Sequence, residues 1–77
     1  MTFNRISIDP QICHGKPCIK GHRIMVGQIL DLIADGASFK EVLEEFPDIT
    51  REDIAACVEY ASHLVKNDEV HFVAKPR

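Results

Sequence analysis

The chain has no apolar run near the roughly 18 residues that cross a bilayer, and Met1-Thr2-Phe3-Asn4-Arg5 holds no signal-peptide apolar segment. Both absences predict a cytoplasmic protein with no membrane partner. Cysteine is sparse: Cys13, Cys18 and Cys57 form an odd set without dense pairing, which argues against a disulfide framework and predicts reduced thiols. Internal repeats and low-complexity segments are also missing, which excludes a solenoid or a repetitive tail. Seventy-seven residues hold one core and leave little room to enclose a substrate, so a multidomain machine or a deep-cleft enzyme is excluded. A chain of this size buries only roughly 60 to 65% of the surface it exposes when unfolded, so a second copy would add useful apolar contact and a homodimer is the expected assembly.

What is present is the balance of a globular domain, 45% hydrophobic and 27% charged. The formal charge of −3 conceals a polarity. Residues 1–30 carry Arg5, Lys16, Lys20 and Arg23 against Asp9 alone, whereas residues 31–69 carry three cations against eleven acids. The tail adds Lys75 and Arg77. One end can meet phosphate; the middle repels it.

Periodicity divides the chain into a β/loop arm over 1–23, a helical segment over 24–67 and a tail over 68–77, all within a single domain. Ile6 and Ile8 alternate with Arg5, Ser7 and Asp9 as a short half-buried strand would, and Asp9-Pro10 ends it. Gly15, Pro17 and Gly21 then predict a shaped loop with an extended piece around Cys18 to Lys20. Val26, Ile29, Leu30 and Ile33 lie on one helical stripe, stopped by Gly36. Ser38 and Glu41 form a capping box ahead of a second stripe, Phe39, Val42, Leu43 and Phe46, which Pro47 terminates. Thr50 caps a third helix, with Ile49 and Ile54 as its staple and Ile54, Cys57, Val58, Ala61, Leu64 and Val65 as its apolar face. Val70, Phe72 and Ala74 alternate weakly, as a C-terminal strand beside Ile6 would. The predicted fold is mainly α: a three-helix bundle of helix-turn-helix type with a short N-terminal β/loop arm.

Chemistry is thinly represented. Cys13, His14, Cys18 and His22 lie within ten residues but lack the paired C-x₂-C spacing of a zinc site, so no metal is expected and the cysteines read as small apolar residues under a Gly-rich loop. The carboxylates of residues 41–53 follow amphipathic spacing and read as a solvated face. Gly15-Lys16-Pro17 lacks the strand and helix of a phosphate loop. These readings predict a non-enzyme with no cofactor and no small-molecule substrate. An acidic helix is a poor entrant to the major groove, because duplex affinity comes largely from neutralising phosphates. Any DNA contact is therefore assigned to Arg5, Lys16, Lys20, His22 and Arg23, with Arg51 as an auxiliary at a helix N-terminus.

The run Ile8-Asp9-Pro10, then Gly15-Lys16-Pro17-Cys18-Ile19-Lys20-Gly21-His22-Arg23-Ile24, then Ile29-Leu30, Gly36-Ala37-Ser38 and Phe46-Pro47, with Thr50 to Ala61, resembles the domain of unknown function 433 family. The resemblance spans roughly residues 5–65, and its most specific part is G-K-P-x-I-x-G-x-R-I. It implies a homeodomain-like fold and a role as the antitoxin of a Vap-type, type II toxin–antitoxin pair, a DNA-binding autorepressor that also neutralises a PIN-like ribonuclease toxin. His22 stands where the family usually has threonine, and His14 where glycine is common. Toxins of this kind build their metal site from carboxylates, so the resemblance makes Lys75 and Arg77 the toxin-binding candidates by charge complementarity. The alternative is a protein-interaction module on the same scaffold that binds no DNA.

Overall fold

Glycine, serine and proline at fixed offsets force short connections, and short connections force neighbouring elements to pack on one another. The computed structural model describes residues 4–67. Its elements are β1 (Ile6–Ser7), β2 (Cys18–Ile19), α1 (Val26–Ala34), α2 (Phe39–Glu45) and α3 (Arg51–Asn67), with a tight turn over Cys13–Gly15 between the strands. The described residues thus form the three helices that the periodicity predicts, with a small two-stranded sheet that pairs the strand at Ile6 with the extended piece at Cys18. The C-terminal strand at Val70 to Ala74 lies outside the described residues.

The strands pair antiparallel, Ile6 with Ile19 and Ser7 with Cys18. β1 is shorter than the alternation predicts. Ile6 packs on the core, but the chain turns after Ser7 so that Asp9 bridges Ile12, and this leaves Ile8 59% exposed.

α1 begins where the Gln28 side chain reaches back 2.8 Å to the Met25 N–H, replacing a partner that the first turn lacks. It ends in a Schellman motif. Gly36 has a φ of +98°, its N–H donates to the Ile33 carbonyl, and the Ala37 N–H donates to that of Leu32. The capping box of α2 forms as its spacing predicts: the Glu41 N–H donates to Ser38 Oγ at 3.1 Å and the Ser38 N–H to Glu41 at 2.9 Å. These hydrogen bonds hold the Glu41 carboxyl below the usual carboxylate range.

The core joins Ile19, Val26, Ile29, Val42, Ile49, Ile54 and Cys57, so every element but β1 contributes a buried residue, and β1 adds the half-buried Ile6. Burying an aliphatic side chain of this size stabilises by about 1.5 to 3 kcal/mol before chain entropy is charged. Ile49 and Ile54 are both buried, which fixes the entry angle of α3 as a staple should. The apolar face assigned to α3 is only partly used. Ile54 and Cys57 are fully buried, whereas Val58, Leu64 and Val65 are 40, 49 and 75% exposed. Val58 lies at the edge of the buried face, beside Ile54, whereas Leu64 and Val65 are left bare by length: at 1.5 Å per residue α3 runs about 25 Å, against about 13 Å for α1 and about 10 Å for α2.

Candidate nucleic-acid interface

The Gly- and Pro-rich arm folds into a tight hairpin. Cys18 bridges Met25, the Ile19 N–H donates to the Ile24 carbonyl at 2.9 Å, and the His22 N–H closes a turn onto the Ile19 carbonyl. Gly21 occupies the third position of that turn with a φ of +84°, a backbone state that residues with a Cβ rarely adopt. Lys20, His22 and Arg23 are consequently carried on one hairpin tip, with Lys20 and Arg23 exposed. The base is fastened to the helices where the Val26 N–H donates to the Pro17 carbonyl, and to the arm where the Lys20 N–H donates to the Arg5 carbonyl.

Two of the other assigned cations are engaged internally. Arg5 Nη1 donates to Asp53 Oδ1 at 3.0 Å, and the second oxygen of that carboxylate accepts the Thr50 N–H at 3.0 Å. Asp53 is 7% exposed. Burial pushes its carboxyl up, but the hydrogen bonds from the Thr50 N–H, the Arg5 guanidinium and the Thr50 hydroxyl outweigh this and hold it below its ordinary value. Arg51 lies over the Phe39 ring, 5.2 Å from its centroid. Lys16 stands at the hairpin base, in a hollow it shares with Met25 and Asp31, whereas His22 and Arg23 line a separate hollow with Ser7 and Cys18. The structure therefore brings Lys20, His22 and Arg23 together, sets Lys16 apart from them, and commits the Arg5 and Arg51 heads to Asp53 and Phe39. Lys75 and Arg77 lie outside the described residues.

The loop before the hairpin is held in an unusual conformation. The Asp9 carboxylate accepts the Gln11 N–H at 2.8 Å, and Cys13, His14 and Gly15 then take successive φ values of +53°, +55° and +78°. The first two are strained, because a side chain in the left-handed region meets its own backbone. Burial raises the Cys18 thiol, a hydrogen bond with the Cys13 thiol raises it further, and the nearby Arg23 charge opposes both. Among the described residues no three His, Cys, Asp or Glu side chains converge as a metal site would require. None of the helices there is long and apolar enough to cross a membrane.

The Asp53 tie is the feature that charge counting misses, since Asp53 reads as one more solvated acid. Its signal is Thr50-x-x-Asp53, the spacing of a capping box with a shorter acid at the third position.

No curated protein matches the chain. A solved structure does: the crystal structure of a DUF433 member protein from Anabaena variabilis is 33% identical, with a TM-score of 0.76. The match covers 82% of this chain and 62% of that one, so the chain spans under two thirds of its relative's length. The model of the DUF433 family, described as a protein of unknown function, matches residues 6–61. These residues include the hairpin with its G-K-P-x-I-x-G-x-R-I signature as well as all of α1 and α2, and the chain belongs to the DUF433 family.

Proposed function

We propose that the protein is a non-enzymatic, cytoplasmic antitoxin of a type II pair, which contacts its operator through the hairpin tip and neutralises a PIN-like ribonuclease. The observation that carries the DNA half is the tip itself. Lys20 and Arg23 project from a turn that Gly21 permits and the His22–Ile19 and Ile19–Ile24 backbone hydrogen bonds hold, and among the described residues no carboxylate pairs with either. A rigid cationic loop orders little on meeting a phosphate backbone, so more of its charge attraction survives as affinity. The acidic outer faces of α1 and α2, with Asp31, Asp35, Glu41, Glu44 and Glu45 exposed, keep those helices off DNA and available to protein. Lys75 and Arg77 remain the candidates for the toxin's carboxylates.

The second reading, an interaction module without DNA binding, draws on the Arg5–Asp53 pair and the Arg51–Phe39 stack. Each takes a cation from the assigned DNA surface. Fluorescence anisotropy of the gene's upstream duplex over a salt series separates the two. Each phosphate neutralised contributes about −0.9 to the slope of log K against log salt, so two tip cations per chain give about −2 for a monomer and about −4 for a dimer. K20E/R23E should abolish the shift while leaving the circular dichroism unchanged. A wild-type protein with no salt-sensitive binding, alone or with the neighbouring gene product, eliminates the DNA reading. The toxin half is read separately, by whether co-expression relieves growth arrest caused by that neighbouring gene.

A further inference from the structure

α3 outruns α1 and α2, and the surface it leaves uncovered has a pattern of its own. Ala55, Val58, Ser62 and Val65 recur at spacings of three, four and three, the a and d positions of a heptad. Val58 and Val65 lie beside Ile54 at the edge of the face that holds the core, and Ala55 and Ser62 lie further round the helix, away from Cys57. Ala55, Val58 and Val65 are exposed and Ser62 is half-buried. With Phe39 of α2 on its flank, Ala55, Val58 and Ser62 line an open groove of about 480 Å³ together with Glu59, His63 and Lys66, and Val65 stands exposed beside it. Among the described residues nothing fills it.

We propose that this groove takes the same face of a second copy, with the two α3 helices packed antiparallel about a two-fold axis that crosses the stripe midway between Val58 and Ser62. The argument is self-complementarity. Around that axis Ala55 meets the other copy's Val65 and Val58 meets its Ser62, so each valine faces a small residue and the four layers interdigitate without two large side chains colliding. Charge agrees with the same register. Glu52 and Lys66 occupy matching flanking positions at opposite ends of the stripe, so antiparallel packing brings each Glu52 beside the other copy's Lys66, twice by symmetry. A parallel pair would set Glu52 against Glu52 and Lys66 against Lys66. One repulsion remains: the two Glu59 side chains approach each other near the axis, at the rim. This inference goes beyond the DNA and toxin reading and does not depend on it, since the hairpin tip takes no part in the stripe.

The test is the oligomeric state of the full 77-residue chain under reducing conditions, by light scattering after size exclusion and by sedimentation equilibrium. Wild type should be a dimer. V58E/V65E, which changes only exposed positions, should be monomeric with an unaltered far-ultraviolet spectrum. E52K and K66E should each weaken dimerisation about tenfold at low salt, and the double variant E52K/K66E should restore it, because both cross-copy pairs reform with their signs exchanged. E59Q should tighten association about twofold by removing the like-charge contact. A wild-type monomer at hundreds of micromolar overturns the proposal and leaves the groove to residues 68–77 or to another partner. A dimer indifferent to V58E/V65E, or single charge reversals that the double variant does not rescue, overturns it too, by placing the interface elsewhere. Salt-sensitive DNA binding by a monomeric wild type would mark failure here without failure of the proposed function.

Discussion

Removing the Asp53 carboxylate should destabilise the fold far more than its place in a run of acids suggests. Asp53 is 7% exposed, and both its oxygens are used: one by Arg5 across 48 residues of sequence, the other by the Thr50 N–H that opens α3. Asp53→Ala removes the returning half of a capping box, about 1 kcal/mol, and a charge-assisted hydrogen bond to a partner that is itself half exposed, about 0.5 to 1 kcal/mol after solvent screening. The sum is about 2 kcal/mol. In a domain this small that lowers the melting temperature by roughly 8 to 16 °C at a fixed protein concentration. Arg5→Ala should cost about 1 kcal/mol, because it leaves a buried oxygen without its donor. The double variant should fall short of the sum of the singles by about 0.5 to 1 kcal/mol, since each single already breaks the shared contact.

The pH dependence carries a definite sign. The folded carboxyl is held below its unfolded value, so its contribution is complete above the unfolded pKa of about 3.9 and disappears as pH falls through the depressed folded value. The stability gap between wild type and Asp53→Asn should therefore be constant from pH 5 to 7 and close in more acid solution. Calorimetry or chemical denaturation across that range reads it. Should Arg5→Ala and Asp53→Ala each cost under about 0.3 kcal/mol, or the double variant prove additive, the tie contributes nothing and the reasoning fails.

His14→Gly should raise stability by about 0.5 kcal/mol, because relief of a left-handed φ of +55° exceeds the extra entropy that glycine loses on folding; denaturant titration with an unchanged m-value checks it. Gly36→Ala should act in the opposite sense, by about 1 kcal/mol, since φ at that stop is +98° although an added Cβ would meet nothing within 4 Å. In thiol labelling of the native protein at pH 8, Cys13 should react and Cys57 should not, because burial and the Asp53 charge push the Cys57 thiol up to about 11; equal rates at the two sites would contradict the packing. Ile54→Ala should cost about 2 to 5 kcal/mol and unfold a marginal chain at ambient temperature, as near-ultraviolet and far-ultraviolet dichroism would report together.

The legible parts of this fold are those whose determinants lie within five residues of one another. The Ser38–Glu41 box, the Gly36 stop and the Ile49–Ile54 staple each close a local geometric loop, so residue type and spacing suffice to specify them. The outer face of α3 was harder to read because periodicity reports which residues share a side, not whether a neighbour is long enough to cover it. Val58 and Val65 belong to an apolar sector as wide as the sequence implies, and the short α1 and α2 leave part of it bare.

The candidate site was legible in charge but not in geometry, and Arg5 shows why. Counting four cations against one acid over residues 1–30 treats each as free to meet phosphate. Pairing across 48 residues removes Arg5 from that count, and nothing local to Arg5 announces the pairing. The acid that claims it is recognisable only from its own side, through Thr50-x-x-Asp53, and even that spacing explains the helix cap and not the distant guanidinium. The tip cations escape the same fate: the Gly21 turn leaves Lys20 and Arg23 exposed, and among the described residues neither has a carboxylate within ion-pair distance. The polarity of the chain therefore survives folding in reduced form, concentrated on Lys20 and Arg23 at the tip of the hairpin.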